Sequence, residues 1–221
     1  MEQYRFQIKV FEEQIKYAKR LTEYAVANGS FRDNSYKKLP KQMRAFEGVL
    51  GEVLFADLYG YPRPTIAYGV GGTDDGGRDF ELIRNGQKVN LDIKLTMRNF
   101  GRVLKPFYDF EISYNQFKCM PLTDVYLFIC VTNTLPLYAT FLGTCFKRDI
   151  ELGIVGRIIH KGESYTTEGK VAPSDLIKIH FSEIMPPIVP KSAKLYPNFR
   201  AIFIENEQKR TRKSKIFVSV L

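Results

Sequence analysis

GGRDFELIRNGQKVNLDIKLT, residues 76–96, is the stretch whose reading decides the fold. Asn85-Gly86 is the preferred pair for a two-residue type I′ turn, because both turn positions need φ > 0 and these residues tolerate it at the lowest cost. Before the turn, Phe80 and Leu82 alternate with Asp79, Glu81 and Ile83; after it, Val89, Leu91, Ile93 and Leu95 alternate with Asn90, Asp92 and Lys94. That is the period of a strand, so the stretch predicts a β-hairpin. Counting outward from the turn pairs Arg84 with Gln87, Leu82 with Val89, Phe80 with Leu91 and Asp79 with Asp92.

Like charges directly opposed in a sheet, with Cβ atoms about 5 Å apart, destabilise it, so Asp79 facing Asp92 calls for a cation between them. Lys94, two residues beyond Asp92, projects from the same face and sets an ammonium beside the two acids.

An acid on one strand and an acid-x-lysine on the next, here Asp79 and Asp92-Ile93-Lys94, resembles the PD-(D/E)XK nuclease superfamily. In that superfamily a glutamate on an upstream helix completes the site, and Gly51-Glu52 in RAFEGVLGEVLFADLYG matches it. The match covers roughly Arg44 to Thr132, and Arg78 stands where the pattern often has proline. The resemblance implies an α/β, restriction-endonuclease-like fold, a mixed central β-sheet flanked by helices. It also implies metal-dependent hydrolysis of phosphodiester bonds. Mg²⁺, or Mn²⁺ in its place, would be held by Asp79, Asp92, the Ile93 carbonyl and Glu52, a shell of hard oxygen donors suited to such ions. Lys94 would orient the attacking water and stabilise developing charge. Glu47 is the reserve acid: five residues from Glu52 is roughly 140° around a helix, so both cannot point into one site.

The rest of the chain fits a polyanionic partner. Its 221 residues carry 33 basic and 24 acidic side chains, a formal charge of +9, which favours nucleic acid or an anionic membrane surface. A hydrophobic content of 44%, with 17 Phe and 13 Tyr, describes an ordered globular protein rather than a basic disordered one. The start, MEQYRFQIKVFEEQ, has no apolar signal-like core, and no run approaches about 18 uncharged apolar residues. The expectation is therefore a cytoplasmic protein without a membrane span. Cys119, Cys130 and Cys145, odd in number and in apolar surroundings, read as reduced core residues.

In chain order, Tyr4, Ile8, Phe11, Ile15, Ala18 and Ala25 form a helical stripe, although Tyr4, Phe6, Ile8 and Val10 also alternate as a strand would. The helix is favoured, making residues 1–40 an N-terminal helical extension. Residues 41–150 are the expected catalytic core. A helix from Lys41 to Tyr59 ends at Gly60, with Ala45, Gly48 and Ala56 on the face of Glu52, where small residues would let the backbone approach the sheet. A short helix capped by Ser113 stops before Pro121. Asp124–Thr132 reads as a buried strand and Leu137–Phe146 as the next. Residues 151–221 are a β-rich extension in which FRAIFI and IFVSV flank a basic connector.

Nucleic-acid contacts are expected from Arg98, Arg102 and Lys105, just beyond Lys94, and from Lys209, Arg210, Arg212, Lys213 and Lys215 in the connector. Asp74 and Asp75 read as turn residues, and His160 and His180 as structural. The function expected is a Mg²⁺-dependent nuclease, a DNA endonuclease for restriction, mobile-element processing or repair, and a homodimer is compatible with it. The alternatives are a catalytically inactive nucleic-acid-binding protein that keeps the fold, and an assembly protein in which the two aspartates bind a stabilising ion.

Overall fold

The computed structural model describes residues 4–28, 40–65, 79–84, 86–98, 109–132, 135–165, 169–190, 200–203 and 218–219. The chain enters not on a helix but on a strand, β1 (Tyr4–Lys9), followed by α1 (Glu12–Ala27). The period-two reading wins because both faces of this segment are covered. Phe6, Ile8 and Val10 are buried on one side, and Arg5 and Gln7 on the other. The helix starts only at Glu12, where two acids meet the positive end of its dipole and the Gln14 side chain accepts from the Phe11 amide at 2.9 Å. The segment expected as a helical extension thus supplies an internal strand.

α2 (Lys41–Tyr59) has its expected bounds, and Gly60 ends it in the left-handed conformation at φ 74°. The hairpin follows as β2 (Phe80–Arg84) and β3 (Gln87–Arg98), with Arg84 opposite Gln87, Leu82 opposite Val89 and Phe80 opposite Leu91, the register counted from the turn. β3 outruns its partner and pairs on its other side, in parallel, with β5 (Val125–Thr132). The chain between them forms β4 (Asp109–Ser113) and the short α3 (Tyr114–Cys119), capped by Ser113 as expected. β6 (Tyr138–Phe146) returns antiparallel to β5. α4 (Lys147–Glu151), β7 (Arg157–Ile159), β8 (Leu176–His180), a 3-10 turn (Phe181–Glu183), β9 (Arg200–Phe203) and β10 (Val218–Ser219) complete the described elements.

The strands form a seven-stranded mixed sheet in the order β10-β9-β1-β6-β5-β3-β2, and a three-stranded sheet in the order β4-β8-β7. The large sheet thus draws strands from all three segments distinguished in the sequence, and β1 lies inside it. One face is covered by the long helices, where Leu50, Val53, Leu54 and Leu58 of α2 meet Leu91, Ile93, Leu95, Leu127 and Ile129. The other is covered by the small sheet and α3, with Phe110, Ile112, Phe117, Ile177 and Ile179 against Tyr126, Phe128 and Leu142. The fold is mixed α/β, a mixed sheet flanked by helices. The second sheet was not legible from the sequence.

Candidate active site

Two of the expected residues, Asp92 and Lys94, pair on β3, and a third, Asp79, is hydrogen-bonded to the residue between them. Asp79 stands one residue before β2, and its amide donates to the Leu91 carbonyl at 2.8 Å. Its carboxylate Oδ2 accepts from the Ile93 amide at 2.6 Å. A side-chain oxygen thereby occupies a ladder position that a backbone carbonyl would otherwise fill, fixing Asp79 to the residue next to Asp92. Asp92 itself is 3% exposed, and the Lys94 ammonium lies 2.8 Å from its Oδ2. The ladder ends at Phe80–Leu91, so Asp79 and Asp92 are not a register pair; a backbone amide faces the Asp79 carboxylate and a cation faces Asp92.

β5 supplies the wall of this site. Its parallel register sets Tyr126 beside Asp92 and Phe128 beside Lys94, and Lys94 Nζ stands 5.7 Å from the centroid of the Tyr126 ring. The phenol is pushed well above its ordinary range, first by burial and then by the negative charge of Asp92, so it stays protonated. Phe117 of α3 closes over Tyr126 with ring centroids 6.3 Å apart. At the start of β3 the Asp124 carboxylate accepts from the Asn90 amide at 2.8 Å and from its side chain at 3.2 Å, pinning β3 to β5 one turn of the pleat before Asp92. Neither Tyr126 nor Asp124 was singled out from the sequence. Tyr126 is hidden in an apolar run, and only the strand register reveals its neighbour.

Glu52 is not brought to this group. It is buried, but in a crevice it shares with Leu21, Tyr24 and Ala25 of α1 and with Pro64 and Thr65. The residue of α2 that meets the sheet is Gly51, where a Cβ would stand 3.0 Å from Ile93 Cγ2 and 3.2 Å from Leu95 Cβ. Gly48 has no such neighbour, so the close approach expected on the Glu52 face occurs about 100° away around the helix. Ile93 and Leu95 alternate with Asp92 and Lys94, and so lie on the opposite face of β3. Glu47, one turn before Gly51, does reach the strand, its Oε1 accepting from the Met97 amide at 3.3 Å.

The donor chemistry of Asp79 and Asp92 fits a hard divalent ion such as Mg²⁺ or Mn²⁺. Among the described residues no group of three or more His, Cys, Asp or Glu side chains converges as a metal cage. Arg98 lies in β3 beside Thr132, and its side chain is outside the described residues. Arg102, Lys105, Asp74, Asp75, Lys209, Arg210, Arg212, Lys213 and Lys215 are outside them altogether.

The remaining expectations divide. His180 Nδ1 accepts from the Ser182 amide at 3.3 Å as a cap, and His160 Nδ1 lies 3.7 Å from Asp175, both local structural roles. Cys130 and Cys145 are buried, and burial pushes the Cys145 thiol up to about 12. Cys119, the last residue of α3, is exposed instead. No helix among the described residues is long and apolar enough to cross a membrane. No family model, curated protein or solved structure matches the chain.

Proposed function

We propose that this chain is a metal-dependent nuclease that hydrolyses phosphodiester bonds in DNA, on a restriction-endonuclease-like arrangement of helix, hairpin, crossover and parallel strand. The observation that carries the reading is Asp79, fixed by the Ile93 amide, next to the Asp92–Lys94 pair. The order α2, β2, β3, then the crossover through α3 to the parallel β5, supports it. So does the formal charge of +9, suited to a polyanionic substrate.

Asp79 and Asp92 would hold Mg²⁺ or Mn²⁺, which when bound supplies a more acidic water and neutralises charge on the phosphate. The protein's own groups do the rest. The Ile93 amide orients the Asp79 carboxylate, and Asp92 holds the Lys94 ammonium where it can donate to a phosphate oxygen as negative charge grows there. Phe117 and Tyr126 keep bulk water from the back of the pair, which strengthens both interactions. Glu52, on the helix side of the sheet, has no ligand role in this reading.

One observation favours a second reading. At 2.8 Å the Lys94 ammonium already balances Asp92 without any metal, as it would in a nucleic-acid-binding protein that keeps the fold and has no turnover. Incubation of plasmid, oligonucleotide duplex, single-stranded, branched and RNA substrates with Mg²⁺ or Mn²⁺ separates the two. The nuclease should cleave at least one DNA substrate, and Asp92→Asn and folded Lys94→Ala should each lower the rate by about 10²-fold or more. Salt-dependent DNA binding by a wild-type protein that cleaves none of these would overturn the nuclease reading in favour of the second.

A further inference from the structure

Two groups contact the Lys94 ammonium: Asp92 Oδ2 at 2.8 Å, and the Tyr126 ring, which it overlies with the centroid 5.7 Å away. A lysine side chain has four rotatable bonds, and a single ion pair leaves its head free to swing around the carboxylate. An aromatic face with its negative quadrupole toward the cation removes part of that freedom, and does so best where water is excluded. Tyr126 is fully buried, so its ring cannot turn away. Phe117 packs behind it at 6.3 Å, and the parallel register of β3 and β5 keeps it level with Asp92.

We infer that Tyr126 is a positioning residue, whose ring face sets the Lys94 ammonium against Asp92 in the orientation the proposed phosphodiester cleavage uses. The inference rests on the nuclease reading for its functional half, while its geometric half stands on the contacts alone. The ring rather than the hydroxyl does the positioning, so the conservative change should be silent and the loss of the ring should not.

The test compares Tyr126→Phe with Tyr126→Met, which fills much of the space without a ring, and Tyr126→Leu as a second ringless variant, each in the full chain. Turnover is measured at saturating Mg²⁺. Tyr126→Phe should keep kcat within about threefold, and the ringless variants should lose about tenfold in kcat with KM nearly unchanged, the pattern of an interaction needed after binding. In parallel, protein labelled with ¹³C-lysine reports the ε-methylene of Lys94, which the ring current should shift upfield in wild type and Tyr126→Phe and release in the ringless variants. An unshifted Lys94 signal in wild type, or one that survives loss of the ring, overturns the inference. So does equal kcat in the Phe and Met variants. If the wild type cleaves nothing while the ring-dependent shift is present, the nuclease reading falls and the positioning geometry is upheld, so the two failures are told apart.

Discussion

On one face of β3, Leu91, Ile93 and Leu95 meet a helix across a backbone approach so close that a Cβ at position 51 would stand 3.0 Å from Ile93 Cγ2. On the other, Asp92 is buried beside Tyr126, with Phe117 against that ring, while Lys94 is half-buried. The first face stabilises the fold by removing apolar area from water, at about 1.5–3 kcal/mol for each large side chain fully buried. The second gains little by that route, since a buried ion pair roughly repays its own desolvation and an apolar replacement of the same shape is often as stable. A charged pair maintained beside such a core contributes no obvious stability, which is why the polar face of β3 is where a chemical role is sought. The difference also sets how each face fails: the apolar face through shape, the charged face through an orphaned partner.

The comparison is broken most directly by removing one charge. Lys94→Ala leaves Asp92 buried without its cation and should cost about 3 kcal/mol, while Asp92→Asn combined with Lys94→Met should recover most of it. Urea denaturation of the two proteins decides the matter, and a single variant costing under about 1 kcal/mol would mean that water or another group balances Asp92 once Lys94 is gone. The next effect belongs to the apolar face. Gly51→Ala drives a methyl to within 3.0 Å of Ile93, and after the gain of about 1 kcal/mol from replacing a helical glycine should still cost about 1 kcal/mol of stability while leaving any cleavage by the folded protein intact. Ile93→Val sharpens the contrast, removing one methylene from the same contact for about 1 kcal/mol; a drop in activity larger than the drop in stability would tie the two faces together.

Near neutral pH the smallest effect on stability is expected from the thiols. Cys119 should be alkylated in the native protein while Cys130 and Cys145 resist, as mass spectrometry after iodoacetamide would show. The Cys145 thiol, raised by burial to about 12 from an ordinary 9.0, favours folding while it is protonated. That contribution is complete below pH 9 and declines as pH rises toward 12, because the unfolded thiol ionises first. Reaction of all three cysteines at equal rates at pH 8 would show that the covered face opens readily.

Much of the hairpin is legible in the residues alone, for local reasons. The Asn85-Gly86 pair and the alternation around it determine the register, and the observed pairs from Arg84–Gln87 to Phe80–Leu91 follow from counting. α2, the Ser113 cap and the buried β5 are equally local, each written in a run of residues with one period and one stop signal. β1 is misread because its period-two pattern runs directly into the helical stripe of α1. Only partner strands on both sides, β6 and β9, favour the extended form. The second sheet is missed because β4, β7 and β8 are three to five residues long and gain their identity from one another.

The candidate site divides along the same line. By itself the sequence determined that Asp79, Asp92 and Lys94 share one end of a hairpin, because strand geometry assigns faces at a period of two whatever the rest of the chain does. Which way Glu52 points was left to the tertiary structure. α2 is buried toward both the sheet and α1, so its apolar period does not distinguish the two sides, and Gly51 is where the helix backbone comes close to Ile93 and Leu95. Tyr126 was likewise silent in the sequence. Its place beside Lys94 depends on a parallel register between strands 34 positions apart, Asp92 to Tyr126, and no local rule reaches that far.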